Sequence, residues 1–310
     1  MCGIVGYVGT PGQSKPALGV VIDALRRMEY RGYDSAGIAL LDGSGGMAVE
    51  KKAGKLDNLV ATVESAGLEN YPATTGIGHT RWATHGRPTD INAHPHVDQL
   101  GKIAVVHNGI IENFAPLRAE LEAQGVEFTS ETDTETVTHL LHAEYYGEGP
   151  NAGNFMASVM AVINRLEGAF TLVIAHADHP DMLMACRRST PLVIGVGEHQ
   201  MFLGSDVAAF IEHTREAVEL GQDNVVTITA DGYTITDFEG NPVEGRPFTI
   251  DWDLEAAEKC GYDYFMLKEI AEQPQALADT LRGHFVDGRI VLDERRLSDE
   301  DLRQIEKIFV

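Results

Sequence analysis

Cysteine is the second residue of the chain, in Met1-Cys2-Gly3-Ile4-Val5-Gly6. An initiator methionine before so small a residue is normally removed. Cys2 would then carry both a thiol and a free α-amine, a nucleophile and a base on one residue. A free thiol has a pKa of ~8.5, so only roughly 3% is thiolate at pH 7. The adjacent amine, pKa ~7.7–8.0, is partly neutral at that pH and can take the thiol proton directly or through water. On these few residues alone, an equally simple reading is a small side chain that opens a buried strand.

Five further clusters are polar, contain glycine or sit at turns, and fall at the ends of apolar segments. They are Glu29-Tyr30-Arg31-Gly32-Tyr33-Asp34-Ser35-Ala36-Gly37, Gly78-His79-Thr80-Arg81-Trp82-Ala83-Thr84-His85-Gly86, Ala93-His94-Pro95-His96, His107-Asn108-Gly109-Ile110-Ile111-Glu112-Asn113 and Ser130-Glu131-Thr132-Asp133-Thr134-Glu135. Asn108-Gly109 alone reads as a type I′ hairpin turn. Asp133 alone reads as a helix N-cap, and Arg81 as a surface charge. Tyr33-Asp34-Ser35 reads as a structural turn. Histidines crowd these clusters, and His139 and His142 lie three apart on an expected helix. No cysteine pair or HExxH spacing accompanies them, so no metal site is expected. Gly76-Ile77-Gly78 and Gly195-Val196-Gly197 complete no dinucleotide or phosphate fingerprint, and no cofactor is expected.

Composition limits the function classes. The chain has 310 residues, 44% of them hydrophobic, enough for one large core. With 24 basic and 47 acidic residues its formal charge is −23, which repels phosphate backbones and argues against nucleic acid as a partner. No apolar run approaches the ~20 residues of a membrane span, and no signal peptide is visible. Three cysteines, Cys2, Cys186 and Cys260, are too few and too odd in number for a disulfide framework, which fits a reducing cytoplasm. Cys186, in an apolar run, reads as a packed core thiol.

The elements that must position the polar clusters follow from periodicity. Strands are expected at residues 4–8, 36–41, 47–52, 76–79, 103–107, 169–175, 182–185, 192–196, 201–204, 224–229 and 233–236. Helices are expected at 16–29, 55–65, 113–124, 134–146 and 154–166. This is an α+β pattern with antiparallel strands covered by helices. Gly240-Asn241-Pro242 and Gly245-Arg246-Pro247 read as a linker. A charged, helical segment follows from 251, with Pro274 expected to break or kink its helix. Residues 307–310 look like the start of a strand.

With Cys2, the five clusters resemble the class II glutamine amidotransferases. Within that family they are most similar to the glutaminase half of glucosamine-6-phosphate synthase, also called glutamine–fructose-6-phosphate aminotransferase. All clusters fall in the family order. The resemblance implies a glutaminase domain over 2–240. Residues 264–274 are similar to the lead into a sugar-isomerase domain, so 241–310 would be an interdomain linker and the start of that domain. One departure is Phe114, where the subgroup often has histidine.

The implied fold is a four-layer αββα sandwich of the N-terminal-nucleophile hydrolase type. The implied reaction is hydrolysis of L-glutamine to glutamate and ammonia through a thioester on Cys2. Asn108 and Gly109 would form the oxyanion hole. Arg81 would hold the substrate carboxylate and Asp133 its ammonium. Thr84 and His85 would line the pocket, Trp82 would gate an ammonia channel, and Arg31 and Gly32 would position the terminal amine. Full-length relatives would pass the ammonia to fructose 6-phosphate and form homodimers through the other half. Two alternatives stay open: the glutaminase half of an amidophosphoribosyltransferase, and a glutamine-binding module without turnover.

Overall fold

The computed structural model describes residues 2–83, 86–251, 262, 265–281, 285–286 and 289–290. The chain divides into two compact units, Met1–Ala257 and Glu258–Val310. In the first, two antiparallel sheets dominate. One has eight strands: β1 (Gly3–Gly9), β2 (Ser35–Leu41), β3 (Met47–Ala53), β4 (Thr75–Arg81), β9 (Val193–Gly197), β10 (Gln200–Gly204), β11 (Glu216–Glu219) and β14 (Arg246–Thr249). Their order is β14-β11-β9-β10-β1-β4-β2-β3. The other has six: β5 (His96–Val97), β6 (Ile103–Ile111), β7 (Gly168–His176), β8 (Met182–Arg188), β12 (Asn224–Thr229) and β13 (Gly232–Asp237), ordered β13-β12-β8-β7-β6-β5.

Three apolar layers explain why the sheets stack. Successive strand residues face opposite sides, so β1 sends Ile4 and Val8 between the sheets and Val5 and Tyr7 the other way. Val5 and Tyr7 meet helix α1 (Ala17–Arg27), whose Val20, Val21, Ala24 and Leu25 recur at helical spacing; Leu56, Leu59 and Val63 of α2 (Leu56–Ser65) complete that layer. In the six-stranded sheet, Ala104 and Val106 of β6 face the first sheet. Ile103 and Val105 face α3 (Phe114–Ala123), α4 (Thr134–Tyr146) and α5 (Phe155–Ile163). Helices, sheet, sheet, helices is the four-layer αββα sandwich. Strands buried on both faces read as continuous apolar runs, which is why their positions were plain in the sequence.

Two expectations need correction. β6 does not stop at 107 but runs to Ile111, pairing Asn108 with Thr171 and Gly109 with Phe170. The Asn-Gly pair is therefore mid-strand, not a hairpin turn. The segment read as a linker contributes edge strand β14, paired with β11 from Glu216↔Thr249 to Glu219↔Arg246, so the compact unit passes residue 240. Proline is tolerated on an edge, and the turn-rich spelling hid the strand. In the second unit, α6 (Phe265–Leu281) runs through Pro274. One missing N–H and one carbonyl clash cost about 3 kcal/mol, and the bonds of the flanking turns keep the helix assigned across it. A short hairpin, β15 (Phe285–Val286) with β16 (Arg289–Ile290), follows. Residues 307–310 lie outside the described residues.

Candidate active site

Register places Cys2. β1 pairs with β4 so that Gly3 opposes Thr80 and Ile4 opposes His79, which sets Cys2 beside Arg81 and Trp82. The Trp82 N–H donates to Cys2 Sγ at 3.1 Å, and Sγ lies 3.5 Å from the Trp82 carbonyl. Burial pushes the Cys2 thiol up, against the Trp82 hydrogen bond and the nearby charge of Arg81. The thiol therefore needs a base to become a nucleophile.

The Cys2 carbonyl is held from two sides. Asn108 Nδ2 donates to it at 3.1 Å and Arg31 Nη1 at 3.4 Å. Arg31, from the turn Glu29–Arg31, is itself locked by Asp206 at 2.7 Å and the Ser205 carbonyl at 3.3 Å. Next to it Gly32 has φ +73°, a conformation that favours glycine, and a Cβ there would lie 2.5 Å from the Trp82 ring. Trp82 is 54% exposed, so it is not a core aromatic. Gly109 is likewise constrained. Its φ is +123°, and a Cβ would lie 2.0 Å from the Ala169 carbonyl oxygen.

Cys2, Arg31, Arg81, Trp82, Asn108, Gly109 and Asp133 line one cavity of about 270 Å³, together with His94, His107, Ile110, Thr132, Thr190 and Pro191. That is at the small end of ligand pockets, about 300–1,000 Å³, a size for an amino acid rather than a dinucleotide. Two guanidiniums, Arg31 and Arg81, and one carboxylate, Asp133, are built into its wall. Arg81 is only 4% exposed, so it is not a surface charge. Its guanidinium donates to the carbonyls of Gly86 (3.2 Å) and Arg87 (3.4 Å) and stands 3.8 Å from Asp34. Asp133 occupies the N-cap position of α4 but makes no side-chain cap. Its carboxylate accepts the Ile111 N–H at 2.8 Å and the Thr134 hydroxyl at 3.3 Å.

The histidines behind the cavity serve as hydrogen-bonding struts. His79, His94, His96 and His107 are buried, and desolvation holds all four below the usual imidazole range. His94 Nδ1 accepts the His107 N–H at 3.3 Å, and its Nε2 meets the Thr134 hydroxyl, also at 3.3 Å. His107 Nδ1 lies 2.9 Å from the same hydroxyl, and His96 Nε2 lies 2.9 Å from Thr132. These bonds fix the segment that presents Asp133. Among the described residues no group of three or more His, Cys, Asp or Glu is arranged to hold a metal. Cys186 is a core thiol with its pKa pushed up to about 12 by burial.

Glu135 fixes the same segment from below. Its carboxylate accepts the backbone N–H and hydroxyl of both Thr129 and Ser130. Burial alone would raise its pKa, but His139, 3.6 Å away, and hydrogen bonds from Ser130 and Thr129 outweigh that and hold the carboxyl well below the usual range. A carboxyl depressed in the folded state stabilises the fold above its unfolded pKa, ~4.3, and that contribution is lost as pH falls below it. Glu135→Gln is therefore expected to weaken the fold at pH 7 while flattening its further loss of stability below about pH 4.3. Urea melts at pH 7 and pH 3.5 test this; an unchanged difference between the two pH values counts against it.

Thr84 and His85 lie outside the described residues. Sequence reasoning gave no role to several residues at the site, among them His94, His107, Ile110 and Thr132 of the cavity wall. Asp34 was read as part of a structural turn, yet its carboxylate accepts the Ala83 N–H beside Arg81 and Trp82. His79 lay inside a quoted cluster without a role. Thr190 and Pro191 follow a strand with no motif around them; only the polar break Arg188-Ser189-Thr190-Pro191 marks a bend, with Ser189 at φ +75°.

Residues 79–212 match the glutamine amidotransferase domain family. The chain is 67% identical to glutamine–fructose-6-phosphate aminotransferase (isomerizing) of Mycolicibacterium smegmatis and 58% identical to that of Streptomyces coelicolor. Each match covers all of this chain. The chain carries a glutamine amidotransferase domain. It spans about half the length of these relatives, 50% and 49%. Among solved structures, glutamine phosphoribosylpyrophosphate amidotransferase from B. subtilis shares its fold, with a TM-score of 0.63 at 24% identity over 78% of this chain and 50% of that one. The family match contains Arg81, Asn108, Gly109 and Asp133. Cys2, Arg31 and Gly32 precede it, and the pairing of β1 with β4 is what carries Cys2 to the cavity. Among the described residues of the domain, no helix is long and apolar enough to cross a membrane.

Proposed function

We propose that the domain hydrolyses L-glutamine to glutamate and ammonia through a γ-glutamyl thioester on Cys2. One observation carries this reading: a buried guanidinium, a carboxylate and a cysteine thiol face a single amino-acid-sized cavity. Arg81 suits the α-carboxylate, through its forked donors, and Asp133 the α-ammonium. Held by both charged groups of its α-carbon, the substrate extends its side-chain amide toward Cys2. Met1 is removed in this reading, and the freed amine takes the thiol proton. Sγ attacks the amide carbon, and the oxyanion that forms is held by Asn108 Nδ2 and the Gly109 N–H. The C–N bond then breaks and ammonia leaves with the amine's proton. Water hydrolyses the thioester, releasing glutamate and the thiol. Trp82 walls the pocket, and Arg31 and Gly32 steady the residue that bears the amine.

In the longer protein the ammonia would convert fructose 6-phosphate to glucosamine 6-phosphate, at a sugar site outside this chain. That protein would be a cytoplasmic homodimer, with residues 241–310 leading into its isomerase half. The test is direct. The wild-type chain is expected to release glutamate and ammonia from L-glutamine in equal amounts. Acid-quenched intact mass is expected to show polypeptide without Met1 and a single glutamyl adduct. Turnover by material that keeps Met1, with no adduct, would contradict the mechanism.

A further inference from the structure

His79 does not line the cavity, is fully buried, and hydrogen-bonds to Asn108, which does line it. We propose that His79 is the positioning residue that sets which end of the Asn108 carboxamide faces the oxyanion. The inference rests on the glutaminase reading above. A carboxamide is nearly symmetric in shape, and its oxygen and nitrogen exchange places by a simple flip. His79 Nε2 lies 2.9 Å from Asn108 Oδ1, and Asn108 Nδ2 donates to the Cys2 carbonyl at 3.1 Å. Each contact requires the other. With Nε2–H donating to Oδ1, one Nδ2 hydrogen serves Cys2 and the second is left for a developing negative charge. In the flipped amide, Oδ1 would face both the Cys2 carbonyl and the oxyanion, acceptor against acceptor.

The ring is suited to that task. Burial pushes its pKa down to about 3, so at neutral pH it is a neutral imidazole with one N–H. Nδ1 has no hydrogen-bond partner, which costs less as a bare acceptor than as an unpaired donor, and this favours the proton on Nε2. His94 lies against the ring, with centroids 4.4 Å apart, and so limits its plane. Location matters as well. His79 is on β4, the strand paired with the one that follows Cys2, whereas Asn108 is on β6 of the other sheet. The His79–Asn108 bond crosses the seam between the sheets. It ties the oxyanion donor to the strand pair that carries the nucleophile.

The test uses the full chain and two reactions of one thiol. Glutamine hydrolysis passes through an oxyanion; alkylation of Cys2 by iodoacetamide, a displacement at a tetrahedral carbon, does not. His79→Phe keeps a flat ring and removes the donor. It is expected to lower kcat by about 10–100-fold, within the loss for a missing or misplaced oxyanion donor. KM should stay within about threefold and the alkylation rate within about twofold. His79→Gln, which keeps an N–H at similar reach, is expected to recover most of kcat. The proposal is overturned if His79→Phe keeps its kcat, if alkylation falls in step with kcat, or if folded His79→Gln loses as much as His79→Phe. Should His79→Phe misfold, folded His79→Gln is compared with wild type instead, and a kcat loss of tenfold or more overturns the proposal. If Cys2→Ala hydrolyses glutamine like wild type, the glutaminase reading fails and this inference with it. If turnover needs Cys2 and His79→Phe is unimpaired, only this inference fails.

Discussion

Cys2→Ala is expected to lower glutamine hydrolysis by at least about 10⁴-fold, in line with removal of the nucleophile from other covalent hydrolases. The fold should not notice. Cys2 is half-buried, precedes β1, and belongs to none of the three hydrophobic clusters. Among the described residues its thiol exchanges hydrogen bonds only with the backbone of Trp82. Substitutions of that kind change stability by about 0.5 kcal/mol or less, and Tm should move by no more than about 2 °C. Glutamate release and a thermal melt on the same preparation check both halves. Activity within tenfold of wild type would remove Cys2 from the reaction. A collapse of Tm would mean that the residue is structural, as a small side chain opening a strand could be.

Asn108→Ala is expected to lower kcat by about 10²–10³-fold, the usual loss for one oxyanion donor, with KM within about threefold. The reason for the split is geometric. Arg81 and Asp133, which suit the substrate's charged groups, do not hydrogen-bond to Asn108, whereas the amide oxygen gains its full charge only at the tetrahedral stage. Some stability is lost too. The variant leaves the His79 N–H buried without an acceptor, at about 1–3 kcal/mol. Asn108→Asp should be worse in rate, since it replaces a donor with a negative charge at the site of a developing negative charge. Adding His79→Phe to Asn108→Ala should cost little further activity, because the two act through one group. Steady-state kinetics on the four variants decide it. A change confined to KM would move Asn108 from the oxyanion to ground-state binding.

What the sequence determined was the layering and most of the chemistry-bearing residue types. Strands buried on both faces are spelled as apolar runs, and helices α1 to α5 show their periodicity directly, so fold class was legible without coordinates. The five polar clusters were legible because polar residues and glycine interrupt that apolar spelling. Their mutual arrangement was not. Cys2 and Asn108 are 106 positions apart, and only the register of β1 on β4 and the stacking of the sheets bring a hydrogen bond between them. Asn108-Gly109 has the spelling of a turn. It lies within a strand because nine residues of β6 pair with β7, a long-range choice that local propensity cannot express. β14 was misread for the same reason, since an edge strand needs only a neighbour. His79 looked like one more histidine in a crowded motif. Its task is visible only across the seam, where a buried, neutral ring meets the amide oxygen of another sheet. Sequence fixes which groups are present and how each segment folds. The tertiary structure alone decides which atoms face one another, because sheet register and sheet stacking depend on residues far apart in the chain.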